Sequence, residues 1–230
     1  MRRNEQNTNK ESIMRFGYFL FWCAFRLIFR VFFLCRVYHP ERVPSEGPAL
    51  LASNHASYFD PPFIGCSANR EISYLARDTL FRFPVFGDIL RYINVIPVDR
   101  GGRNPKGLKI IASKLSSGNP VILFPEGTRT PDGTLQPAKS GVGLLAIKSD
   151  APIVPIRVFG TYETYGRHLK WPKPGRIIVK FGHPIYLESL RAQAKHATKD
   201  RVKEIYQEAA DQIMEAIASL TPNKDCDRFG

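Results

Sequence analysis

From residue 39 onward, short apolar runs bounded by turn residues alternate with stretches of helical spacing. Residues Ala49–Ser53, 72–76, 121–124, 153–158 and 177–181 predict buried strands, being continuously apolar but too short for buried helices. Between the third run and its predecessors lies the clearest helix, 105–117. Asn104 stands at its N-cap, Pro105 in its first turn, Leu108, Ile111 and Leu115 on one side, and Gly118 at its stop. Val202, Ile205, Ala209, Ile213, Ile217 and Leu220 recur at three- and four-residue intervals with charges between, predicting an amphipathic closing helix. Strand alternating with helix implies an α/β domain with a mixed, largely parallel sheet flanked by helices. In such a domain ligands collect in loops beyond the carboxyl ends of the strands.

The first 38 residues break this pattern. Ten of the chain's 27 Phe, Trp and Tyr residues fall within 16–38. The run is long enough to cross a bilayer, but Arg26, Arg30 and Arg36 interrupt it, and each Arg at mid-membrane costs roughly 2.5–3.5 kcal/mol. Arg26 and Arg30 share one helical face, so the segment is expected to lie at the interface, apolar body in lipid and guanidinium groups toward phosphates. A helix packed on the domain and a true span are the alternatives. The apolar run meets Arg26 and not a small-residue cleavage site, which argues against a signal peptide. The Pro, Gly and charged residues of 39–48 then mark the turn into a new unit. Two regions are expected: a helical membrane-anchoring segment, 1–38, and an α/β domain, 39–230.

Composition adds direction. The chain has 230 residues, 43% of them hydrophobic and 23% charged, with a net charge of +12, which suits nucleic acid, an anionic bilayer or a phosphorylated small molecule. The crowding of aromatics at 16–38 is not the alternation of stacking platform and basic residue that nucleic acid requires. No nucleic-acid partner is therefore expected. Four cysteines without a CxxC pair fit neither a disulfide framework nor a thiolate zinc site, and point to a reducing compartment. His39, His55, His168, His183 and His196 show no metal-ligand spacing, so no metal is expected.

The candidate chemistry follows the predicted strands. After Ala49–Ser53 comes Asn54-His55-Ala56-Ser57-Tyr58-Phe59-Asp60-Pro61-Pro62. Five residues of unbroken helix would set His55 and Asp60 about 140° apart. With His55 in the turn and Asp60 capping the helix that Pro61 begins, the carboxylate reaches back to the imidazole and makes it a general base. Asp60 as a plain N-cap before two prolines explains the pair equally well. After 121–124 comes Phe124-Pro125-Glu126-Gly127-Thr128-Arg129, where Gly127 lets backbone approach a ligand and Arg129 can grip phosphate through two donors. An ordinary turn with a solvated ion pair is the alternative. Lys139-Ser140-Gly141 opens a helical stretch, and Ile96-Pro97-Val98-Asp99-Arg100 puts another guanidinium after an apolar run.

These elements, in this order, resemble the glycerolipid acyltransferases with the His-x4-Asp motif, in particular the 1-acylglycerol-3-phosphate (lysophosphatidic acid) acyltransferases. The likeness runs over 43–184 and also takes in Phe-x-x-Pro-x-x-Gly at 81–87 and Ala-Pro-Ile-Val-Pro-Ile at 151–156. It departs from the family's usual pattern at Ala56 and Ser140, neither a catalytic group. The resemblance implies transfer of a fatty acyl group from acyl-CoA or acyl-carrier protein to the free hydroxyl of a lysophospholipid, with the donor a substrate and no cofactor. It also implies an N-terminal helical anchor, placing the enzyme on the membrane at its cytoplasmic face. By matched position, His55 is the general base, Asp60 its orienting partner, Arg100 a contact to the acceptor phosphate, and Glu126, Gly127, Thr128 and Arg129 the acceptor-binding block, with Lys139 beside it. Another lysolipid acceptor, a membrane-associated thioesterase, and a non-enzymatic module docking on anionic lipid are the rival readings.

Overall fold

The computed structural model describes residues 16–98 and 106–223. Its centre is a five-stranded sheet in the order β1 (Arg36–Tyr38), β7 (Ile178–Phe181), β6 (Ile153–Phe159), β2 (Ala49–Ser53), β5 (Pro120–Leu123). All neighbours run parallel except β6 and β7. Beyond β5, Ser73 bridges to Val121 and leads into a parallel pair, β3 (Tyr74–Arg77) with β4 (Val95–Val98), which extends the layer. The predicted α/β class and largely parallel sheet are what the chain builds.

The strands read as unbroken apolar runs because both of their faces are covered. In β2, Leu50 and Ala52 enter one cluster while Ala49 and Leu51 enter the other, all fully buried. One face packs against α4 (Lys106–Ser116), α5 (Ser140–Lys148), α7 (Glu188–His196) and α8 (Lys199–Ser219). The fit of α5 on α8 is close. A Cβ at Gly143 would stand 1.7 Å from the Tyr206 carbonyl oxygen, so only glycine admits this approach. The other face is covered by α1 (Phe16–Phe33) and α2 (Asp60–Ser67), with Phe29 stacked 3.9 Å from Phe63. Two short helices, α3 (Phe86–Tyr92) and α6 (Thr161–Tyr165), and two 3-10 turns, Pro40–Arg42 and Asp78–Arg82, complete the described elements.

The helix expected at 105–117 is α4, Lys106–Ser116, stopped where Gly118 turns to φ +77°; its predicted cap, Asn104, lies outside the described residues. Two strands escape the sequence pattern, β1 and β4. Strand β1 bears on the domain boundary. It falls inside the segment assigned to the anchor, pairs with β7, and so carries the sheet back to residue 36. Leu34, at φ +43°, makes the turn between α1 and β1.

Helix α1 divides into two faces. Tyr18 and Phe29 are buried, the Trp22 indole N–H donates to the Ala68 carbonyl, and Phe33 packs edge-on against Phe63. Leu20, Leu27, Ile28, Val31 and Phe32 form an exposed apolar stripe on the other side. No described helix is long and apolar enough to cross a membrane.

Candidate active site

The carboxyl ends of β2 and β5 lie side by side, and from each a loop rises over the sheet edge. The β2 loop is held to the sheet by Asn54, whose side-chain amide imitates a strand residue. It donates to the Val158 carbonyl at 3.0 Å and accepts from the Val158 N–H at 2.8 Å, although 104 residues separate the two.

The next residue, His55, points its Nδ1 at Asp60 Oδ2, 2.9 Å away. The same oxygen accepts the backbone N–H groups of Ala56 at 2.6 Å and Ser57 at 2.7 Å. Two backbone N–H groups converging on Oδ2 suit a carboxylate, and beside a carboxylate the neutral imidazole donates from Nδ1 and keeps its lone pair on Nε2. Asp60 is fully buried and His55 only 9% exposed. The imidazole lies flat on Phe124, with centroids 3.9 Å apart and planes at 18°, which fixes its rotation.

Asp60 was expected as the N-cap of α2. It is instead the first helical residue, with Phe59 in the cap position. The reason lies in the donors downstream. Pro62 has no N–H and the Phe63 N–H is taken by the Phe59 carbonyl, so the carboxylate turns upstream to the amides of Ala56 and Ser57 and to the imidazole. The capping alternative is thereby removed.

The β5 loop clamps the β2 loop from the other side. Glu126, 3% exposed, accepts the His55 backbone N–H on Oε1 at 2.8 Å and the Gln136 N–H on Oε2 at 3.3 Å. The Thr130 N–H donates to the His55 carbonyl at 2.8 Å. Glu126 therefore holds the histidine backbone in position. Burial pushes its carboxyl from 4.5 up to about 7; the two backbone N–H groups oppose the shift and the nearby Asp60 charge adds to it. A raised carboxyl stays protonated in the native state while the unfolded chain releases its proton. Stability from this group is thus present below about pH 4.5 and declines as pH rises to about 7. Glu126→Gln is expected to flatten the fall in unfolding free energy between those values, read by denaturant melts across that range; an unchanged slope would remove this reading.

Arg129 lies in the same loop. Its guanidinium sits 3.4 Å over the Tyr58 ring, and its Nη1 is buried without a hydrogen-bond partner. Gly127 takes φ +70° and leaves space for the Lys139 side chain, which a Cβ there would meet at 2.9–3.1 Å. Thr128 is exposed, and its hydroxyl accepts from Arg167 at 3.1 Å. His55, Asp60, Glu126, Gly127, Thr128, Arg129 and Lys139 thus gather at one edge of the sheet, while Arg100 lies outside the described residues. Among the described residues no group of three His, Cys, Asp or Glu could hold a metal ion. Phe124, Tyr58 and Arg167 carry no motif signal that singles them out. Tyr58 and Phe124 stand inside the two motif strings, whereas Arg167 comes from a basic stretch remote in sequence.

The Acyltransferase family model matches residues 35–159, and the chain belongs to that family. Among particular proteins, it is 30% identical over 152 residues to a 1-acyl-sn-glycerol-3-phosphate acyltransferase of Bacillus subtilis, covering 66% of this chain and 73% of that one. It is 33% identical over 126 residues to the chloroplastic 1-acyl-sn-glycerol-3-phosphate acyltransferase BAT2 of Brassica napus, covering 53% of this chain but only 36% of that longer one. The crystal structure of the 1-acyl-sn-glycerophosphate (LPA) acyltransferase PlsC from Thermotoga maritima shares the fold, with a TM-score of 0.66 at 24% identity over 89% of this chain and 80% of that one.

Proposed function

We propose that the protein moves a fatty acyl group from a thioester, acyl-CoA or acyl-carrier protein, to the free hydroxyl of 1-acylglycerol-3-phosphate, forming phosphatidic acid for phospholipid synthesis. The observation that carries this reading is the His55–Asp60 pair, with Nε2 left as an acceptor, in a loop whose Tyr58 supports the unpartnered guanidinium of Arg129. The activity named for the Bacillus subtilis relative supports the choice of acceptor.

His55 Nε2 takes the proton of the acceptor hydroxyl as its oxygen attacks the thioester carbonyl. The tetrahedral adduct then collapses, the C–S bond breaks, and the imidazolium returns the proton to the leaving thiolate. Asp60 steadies the imidazolium between these steps, and its two backbone N–H partners hold the carboxylate in place. A thioester already has a good leaving group, so a positioned alcohol and a base suffice without a covalent enzyme intermediate. No Gly-x-Ser-x-Gly nucleophile elbow occurs in the chain.

Arg129 receives the acceptor phosphate through its guanidinium, which Tyr58 supports on one face. Arg129→Ala is expected to raise the KM for lysophosphatidic acid about 10–100-fold, the worth of one hydrogen bond to a charged group, with little change in kcat. Steady-state kinetics over acceptor concentration checks this, and an unaltered KM removes the assignment.

The exposed stripe of α1 supports an interfacial helix as the membrane contact. Phe83, Val85 and Phe86 extend the same apolar character from the region of α3, whose Tyr92 touches α1 at Gly17. Labelled acyl thioester offered with a panel of lysolipids in detergent tests the whole reading. Labelled phosphatidic acid formed only with lysophosphatidic acid is expected. Labelled free fatty acid independent of any acceptor would convert the reading to a thioesterase, and a different labelled diacyl product would move the acceptor to another lysolipid.

A further inference from the structure

An open cavity of about 560 Å³ lies where α1 turns into β1, well away from His55. Arg26, Arg30, Arg36 and Arg176 line it, together with Tyr38 and Ser67, and no carboxylate does. Arg30, Arg36 and Arg176 are exposed, and no described carboxylate pairs with any of the four. The left-handed turn at Leu34 sets this up, folding Arg36 back so that its N–H donates to Ile177 beside Arg176.

Position in the sheet gives the cluster a direction. Strands β1 and β7 run together and antiparallel to β6, so Arg36 and Arg176 stand at the edge where β6 and β2 end and where His55 emerges. Strand β1 is three places from β2, a lateral separation of about 14 Å. The surroundings are those of a lipid surface. The exposed apolar stripe of α1 adjoins the cavity, and the loop that brings in Arg176 carries Trp171, 80% exposed, between Lys170 and Lys173. An exposed indole among cations is the composition of a segment resting at headgroup level.

We infer that the cavity lined by Arg26, Arg30, Arg36 and Arg176 binds the phosphate of an anionic membrane phospholipid, docking the catalytic edge of the sheet on the bilayer at a site separate from the acceptor site. The inference rests on the membrane reading given above, and its test uses the His55→Ala protein, so that sedimentation reports docking alone and leaves the transfer chemistry to its own assay.

Three proteins are compared on phosphatidylcholine vesicles with and without phosphatidylglycerol: His55→Ala, the same protein with Arg30→Gln and Arg36→Gln, and the same protein with Lys195→Gln and Lys199→Gln. The last pair removes equal charge from exposed positions on α7 and α8. The arginine pair is expected to weaken partitioning to anionic vesicles roughly thirtyfold, and the lysine pair by far less. Arg36→Gln with Arg176→Gln, which brings in one further exposed position, is expected to reproduce the loss, and thermal melts verify folding. Equal losses from arginine and lysine pairs would reduce the effect to net charge and overturn the site. Unchanged partitioning of the arginine variants would overturn it as well. So would a melting shift of the lipid-free protein in inorganic phosphate that the arginine pair abolishes while vesicle binding stays intact, because the site would then serve a free anion.

Discussion

His55→Ala is expected to lower the turnover of acyl transfer about 10²–10⁴-fold, some 3–5 kcal/mol of barrier, in a protein that still folds. The fold survives because the substitution strips no buried group of its last partner. Asp60 Oδ2 keeps the N–H groups of Ala56 and Ser57, and the backbone of residue 55 keeps its bonds to Glu126 and Thr130. The catalytic loss is large because the imidazole is the one group placed to hold the proton between acceptor oxygen and leaving sulfur. Steady-state kcat with acyl-CoA and lysophosphatidic acid, beside a circular dichroism melt, makes the measurement. Near-wild-type turnover by the folded variant would end the proposed mechanism.

Asp60→Ala is expected to lose as much activity as His55→Ala and, unlike it, to lose stability. Removing the carboxylate strands two backbone donors at about 1–3 kcal/mol each and frees the imidazole to change tautomer. Asp60→Asn separates geometry from charge. Its side-chain oxygen can serve the same donors, but the imidazolium loses its counter-charge, so a loss of about 10–100-fold is expected. Because Asp60 acts through His55, the double variant His55→Ala/Asp60→Ala should be no slower than the slower single one. Multiplying losses in that cycle would mean that Asp60 touches the reaction independently and that the pair is not one unit.

The site was legible to unequal depth. The His55 and Asp60 pairing could be posed from a spacing of five, but the spacing alone left a base and a cap equally open; what decides is the folded turn, which gives the Phe63 N–H to the Phe59 carbonyl and brings the amides of Ala56 and Ser57 to the carboxylate. Glu126 was visible as a motif residue, whereas its bond to the His55 backbone spans 71 positions and exists only because β2 and β5 are neighbours. The stacking of Phe124 on His55 arises in the same way.

What the residues settle alone is local. A continuous apolar run such as Ala49–Ser53 commits to a strand buried on both faces, the spacing of 202–220 commits to one helix face, and Gly118 ends α4, because propensity, periodicity and turn chemistry act over a few neighbours. Tertiary structure decided the rest. Strand β1, three residues with Arg and Tyr at its ends, has no apolar run to announce it and exists because β7 offers it an edge. Packing likewise chose which side of α1 is buried, since 16–33 is apolar nearly all round and contacts such as those of Phe29 and Phe33 with Phe63 and of Trp22 with Ala68 break that symmetry. Contacts between strands distant in sequence carry the energy of these choices, and no window along the chain contains both partners.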